Sequence, residues 1–242
     1  AGAAYVFSGK DGALLLSLAG EREGDLFGTT VAGNTFGKQT LLIVGAPGAG
    51  PTQTGRAYVY TKLEKKPAFV IDGDQTSGAL AAMFVAAAGD NDRDGFPDAF
   101  ASDFVNRAKG PQTGRVYLHS GKDGRRLLTL TGETPGEMFG TSQSHAGDTD
   151  GDGHADLAIG AWQYAGAAMS GGRIYMHSGK DGRLLGTITC QIPGDTLGFD
   201  SVGIGDVDKD GTVDLLLRGR VLEQVDELDK AWREYVERLS DQ

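Results

Sequence analysis

The chain has 242 residues, enough for one domain with a sizeable core, and carries 39 glycines and a formal charge of −10. That acidity, with no basic stripe to offset it, argues against a nucleic-acid partner, and there is no run of about eighteen apolar residues to span a bilayer. The single Cys190 permits no internal disulfide, so stapling of the fold falls to metal rather than sulfur.

In chain order, the sequence is a series of short apolar runs punctuated by glycine turns. It opens with AYVF, an SGKDG turn from Ser8 and the run LLLSL, and GRAY follows from Gly55. An acidic loop from Asp90 comes next, then GRVY from Gly114, SGKDG from Ser120 and LLTLTG. The order repeats with an acidic loop from Asp148, LAIGA over 157–161, GRIY from Gly172, SGKDG from Ser178 and LLGTITC. A last acidic loop from Asp206 leads into LLL over 215–217. The repeating unit is therefore two hairpins, the first turning through the acidic loop and the second through Lys-Asp-Gly, where glycine supplies a positive φ. Four short antiparallel strands per repeat predict the blades of a β-propeller, in an all-β fold.

The three acidic loops, DNDRDGFPD, DTDGDGHAD and DVDKDGTVD, start 58 residues apart both times, which marks an internal repeat. Each places carboxylates at positions 1, 3, 5 and 9, a turn-permitting glycine at position 6, and an expected backbone carbonyl ligand at position 7. The expected calcium ligands are Asp90, Asp92, Asp94, Phe96 and Asp98 in the first loop. They are Asp148, Asp150, Asp152, His154 and Asp156 in the second, and Asp206, Asp208, Asp210, Thr212 and Asp214 in the third. An isolated Asp-Gly stretch is commonly just a solvated turn. Three in one register gather like charge that a cation relieves. The EF-hand alternative fails, because its position-12 glutamate is replaced by Ala101, Ile159 and Leu217 and the flanks read as strands. About three Ca²⁺ per chain are expected. The corresponding stretch of the first copy, NTFGKQT between Gly33 and Leu41, has no aspartate and is expected to hold no metal.

With Phe27-Gly28 and Gly45-Ala46-Pro47 in the first copy, and Phe139-Gly140 and Gly160-Ala161 in the third, the chain resembles the FG-GAP repeats of integrin α-chain propellers and their bacterial relatives. Ala81-Ala82 and Leu197-Gly198 are read at the Phe-Gly positions of the other copies. The resemblance covers residues 1–219. It implies calcium in hairpins on one face and a protein or glycan partner on loops of the opposite face.

About four blades are expected, with blade segments at 1–20, 24–72, 77–131, 135–190 and 193–219. The chain opens on a second half-blade and ends on a first half-blade. Joining them would close a four-bladed ring and remove exposed edges. The alternatives are a fragment, or a half-ring that pairs with another copy. From Val221 to Gln242 there is no Gly or Pro, and Val221, Val225, Leu228, Trp232, Tyr235 and Leu239 predict an amphipathic C-terminal helix, packed on the propeller or used for self-association.

Catalytic patterns are sparse. His119 and His177 share one repeat position and read as structural, and His154 falls inside a loop. Aspartates committed to calcium are poor proton donors. The favoured function is a non-catalytic, calcium-stabilised adhesion or ligand-binding module, extracellular or periplasmic. The alternatives are a propeller enzyme, such as a polysaccharide lyase or a phosphodiesterase-associated domain, and a purely structural assembly module. Trp162 and Tyr164 are the aromatic candidates for a binding surface, with inter-blade packing as the competing role.

Overall fold

The computed structural model describes residues 1–205, 207 and 214–217. The predicted C-terminal helix over 221–242 lies outside them. Three four-stranded antiparallel sheets form the body, each in consecutive strand order. The first blade is β3 (Thr30–Phe36), β4 (Gln39–Ala46), β5 (Arg56–Tyr60) and β6 (Phe69–Asp72). The second is β7 (Val85–Ala87), β8 (Ala99–Asp103), β9 (Arg115–His119) and β10 (Arg126–Thr131). The third is β11 (Phe139–His145), β12 (Leu157–Ala161), β13 (Arg173–His177) and β14 (Leu184–Thr189). A two-stranded sheet stands at each end, β1 (Ala3–Phe7) with β2 (Leu14–Ala19) and β15 (Ser201–Gly205) with β16 (Asp214–Leu217). All described elements are strands, as the two-hairpin repeat predicts.

The middle strands are apolar on both faces because each sheet is covered on both sides. Leu41, Ile43, Ala57 and Val59 of the first blade pack on Leu80, Ala99, Ala101 and Tyr117 of the second. The alternate residues Val44, Ala46, Tyr58 and Tyr60 face the other way, onto Ala4, Leu16 and Leu18 of the β1–β2 hairpin. Period-two alternation thus serves two interfaces at once, and β8 and β12 are buried along their whole length.

The two recurring dipeptides meet at these interfaces. The glycine of each Gly-Arg motif lies against the backbone of the next repeat, so that a Cβ at Gly55, Gly114 or Gly172 would come within 2.3 Å of the carbonyl oxygen of Leu80, Phe139 or Leu197. All three glycines have φ between 87° and 102°, a region that L side chains avoid. Hydrogen bonds lock the joint, from Leu80 N–H to Thr54 O (2.9 Å), Phe139 N–H to Thr113 O (3.0 Å) and Leu197 N–H to Gly171 O (2.8 Å). Phe27 and Phe139 then meet Tyr58 and Tyr175 of their own blades edge-on, with ring centroids 5.2 and 5.3 Å apart.

Two sequence expectations change here. The degenerate Phe-Gly position of the second blade is Leu80-Ala81, one residue before Ala81-Ala82. Leu80 bridges Gly55, and Ala81 N–H bonds Ser102 O as Gly28 N–H bonds Gly45 O. A small residue at the second position obscured the register. The joining of the end half-blades is also not seen. Among the described residues, β1 pairs with β2 and β16 with β15 in separate two-stranded sheets.

Gly114→Ala is expected to destabilise the protein by about 2–4 kcal/mol, through left-handed strain plus backbone overlap. Gly136→Ala, with φ +84 but nothing within 4 Å of the added methyl, is expected to cost only about 1 kcal/mol. Paired urea denaturation curves check the contrast.

Candidate metal centre

The acidic loops connect the first two strands of the second and third blades. In each, three carboxylates converge: one oxygen each from Asp90, Asp92 and Asp98 lie within 4.8 Å of one another, and so do those of Asp148, Asp150 and Asp156. Asp98 and Asp156 immediately precede β8 and β12 and are fully buried. The loops hold their own shape through backbone donors. Asp90 accepts from Asp94 N–H (3.0 Å) and Gly95 N–H (2.9 Å), and Asp148 accepts from Gly153 N–H (2.7 Å). Asn91 N–H donates to Asp98 (2.7 Å), and Thr149 donates to Asp156 through both its N–H (2.8 Å) and its hydroxyl (2.6 Å).

The position-5 aspartates make their own contacts with the loop and with the neighbouring turn. Asp94 accepts from Phe96 N–H (3.0 Å) and the Ser120 hydroxyl (3.0 Å). Asp152 accepts from His154 N–H (2.9 Å) and lies 3.6 Å from Lys180 Nζ. The ring of Phe96 has Lys122 Nζ over it, 5.8 Å from the centroid. Of the third loop, Asp206, Asp208, Asp210 and Thr212 lie outside the described residues, and Asp214 is placed only as the first residue of β16.

A second wall of each site is missing from the sequence reading. The Lys-Asp-Gly turn between the last two strands of a blade folds against the acidic loop between its first two. Gly121 N–H donates to Asp98 (3.2 Å) and Gly179 N–H to Asp156 (3.1 Å). The arginine that follows the turn reaches the position-3 carboxylate, pairing Arg125 with Asp92 and Arg183 with Asp150, the latter at 3.0 Å. A signal for this was present: the first blade, which lacks the acidic loop, also lacks SGKDG and joins β5 to β6 through TKLEKKPA.

Electrostatically each cluster is charged beyond what its neighbours offset. Burial, together with the charges of Asp92 and Asp90, pushes the Asp98 carboxyl up to about 7. Burial likewise raises Asp156, and burial with the charge of Asp94 raises Asp92. Converging hard oxygens with disfavoured negative charge suit a divalent cation with oxygen preference, so these clusters can hold metal ions.

The remaining candidates are packed. His119 Nδ1 and His177 Nδ1 each lie 2.9 Å from a turn carbonyl, of Gly124 and Gly182. Trp162 meets Phe199 edge-on with centroids 5.4 Å apart, and the Arg173 guanidinium covers the Tyr164 ring at 3.7 Å. Trp162 thus contacts the next repeat, while Tyr164 is engaged within its own blade.

The Asp98 shift sets the sign of a pH effect. Between pH about 4 and 7 the folded, metal-free protein retains a proton at Asp98 that the unfolded chain has released, so raising pH through this window drains stability. Denaturation of metal-free protein at each pH is expected to show Asp98→Asn gaining stability relative to the unmodified protein from about pH 4 to 7, while His119 and His177, lowered by burial, contribute the opposite slope in both.

Comparison with known proteins agrees with the repeat reading. The FG-GAP repeat model matches residues 140–175, spanning β12 and the third-blade acidic loop. Integrin alpha-5 of Xenopus laevis is 28% identical over 194 residues, covering 72% of this chain and 18% of the relative. Integrin alpha-4 of the same organism is 30% identical over 177 residues, covering 66% of this chain and 17% of the relative. The chain thus spans under a fifth of the length of these relatives. Among solved structures, a chain in the crystal structure of a mitotic checkpoint complex superposes with a TM-score of 0.50 at 13% identity, over 81% of this chain and 47% of that one, a likeness of fold alone. On its repeats and its blade architecture, the chain carries an FG-GAP repeat and is similar, over a part of their length, to integrin α chains.

Proposed function

We propose that the chain is a non-catalytic, calcium-stabilised propeller module that binds a protein or glycan ligand outside the cytoplasm. The observation that carries this reading is the pair of three-carboxylate clusters, each with one buried aspartate, at equivalent hairpins of successive blades. In this reading Asp90, Asp92, Asp94, Asp98 and the Phe96 carbonyl hold one ion, and Asp148, Asp150, Asp152, Asp156 and the His154 carbonyl hold a second. Asp206, Asp208, Asp210, Asp214 and the Thr212 carbonyl hold a third. Calcium supplies positive charge at the point where burial and like charge oppose ionisation, and so ties the first hairpin of each blade to the second.

The ions are structural and the ligand meets the loops at the opposite ends of the strands. Millimolar calcium, as found outside cells, saturates even weak oxygen loops, which supports a home on a cell surface, in the periplasm or in the extracellular medium. Similarity to integrin α chains supports a ligand-binding role.

Calorimetric titration of chelator-treated protein is expected to show about three Ca²⁺ per chain. At a hundredfold excess over the dissociation constant each ion adds about 2.7 kcal/mol of stability. Asp148→Ala with Asp152→Ala is expected to remove one ion from the stoichiometry and to lower the calcium-dependent melting temperature while leaving the fold recognisable. Unchanged stoichiometry and melting would show that the third-blade loop is only a turn.

A further inference from the structure

The acidic loops of the second and third blades are not independent. Asn91, at position 2 of the second-blade loop, is buried and spans the space between the two. Its backbone N–H donates to Asp98 of its own cluster (2.7 Å). Its side-chain amide donates to the carbonyl of Ala155 in the next loop (2.6 Å), the residue before the buried Asp156. Its own carbonyl meets the His154 imidazole through Nδ1. Arg93, two residues on, crosses the same boundary, since a Cβ at Gly153 would meet its guanidinium at 2.8 Å. A Cβ at Gly179 would meet the Asn91 amide nitrogen at 2.6 Å, so the amide also lies against the Lys-Asp-Gly turn of the third blade.

Resting on the calcium reading above, we infer that Asn91 couples the two calcium sites, so that filling either loop raises the affinity of the other. Asp98 and Asp156 are the buried carboxylates of their clusters, and a short chain of hydrogen bonds through Asn91 joins the segments that carry them. An ion in the second-blade loop fixes Asp98, hence the Asn91 backbone, hence the brace on Ala155 and His154. The third-blade loop then loses less conformational freedom when it binds. By linkage the effect is equal in both directions. Asn91 is a positioning residue, because none of its atoms belongs to the expected ligand set.

The test is a double-mutant cycle read by calorimetric calcium titration, with the Asp206 loop silenced throughout by Asp208→Ala and Asp210→Ala. Disabling the third-blade loop with Asp148→Ala and Asp152→Ala is expected to weaken calcium binding at the second-blade loop on the order of tenfold. In an Asn91→Thr background the same disabling is expected to leave that affinity unchanged. Threonine is the residue the third blade itself carries at this position, as Thr149, and it has no amide to reach Ala155. Equal affinity with and without the neighbouring loop, or a tenfold loss that survives Asn91→Thr, overturns the coupling while leaving the calcium reading intact. Absence of calcium binding at either loop overturns both. Hydrogen exchange gives a reading that needs no change at Asn91: with Asp90→Ala and Asp92→Ala, calcium is expected to protect the amides of 149–156 less than in the unmodified protein. Undiminished protection counts against the coupling.

Discussion

The architecture depends on one close approach, the backbone of a Gly-Arg glycine against the backbone of the Phe-Gly segment one repeat later. No side chain fits between them, and the glycines adopt the left-handed conformation that brings the strands together. The joint fixes how far apart successive sheets stand, which decides that each middle strand is buried on both faces. The apolar alternation of β4 and β5 is then satisfied by two different neighbours. In such an array stability resides in nearest-neighbour interfaces as much as within the repeats.

Given that spacing, the hairpin turns of adjacent blades lie side by side along one rim. This is where the acidic loops sit, and it explains why their chemistry is shared between elements distant in sequence. The Lys-Asp-Gly turn contributes backbone donors from the far side of the same sheet, while its arginine offsets part of the charge on position 3. Each cluster is therefore built by tertiary packing on a locally encoded loop, and its buried aspartate is the point at which core and site coincide.

Much of this was legible in the sequence because the repeat compares the chain with itself. Aspartates at fixed spacing mark the loops, and the runs LAIGA and LLGTITC fall on β12 and β14. Less legible was whatever depends on contact across the sheet. The second-blade Phe-Gly position slipped by one residue because Leu80-Ala81 carries neither the aromatic nor the glycine. The partners of Asp94 and Asp152 across the sheet, the Ser120 hydroxyl and Lys180, were not readable from the loop spacing. Trp162 and Tyr164 looked available from composition, whereas an edge-on contact with Phe199 engages the first and the Arg173 guanidinium covers the second. Spacing encodes which residues a loop offers, and packing decides which of them turn inward.

The first blade behaves differently from its neighbours. Its β3–β4 ladder continues unbroken from Thr30 opposite Gly45 to Phe36 opposite Gln39, closing through a tight turn at Gly37-Lys38 rather than through an acidic loop. Local pairing with small sequence separation is cheap in loop-closure entropy and fast to form. The hairpin needs no cation to neutralise its turn. This blade is thus the element whose strands pair most locally, and its Leu41 and Ile43 form the surface on which Leu80 and Ala99 of the second blade pack.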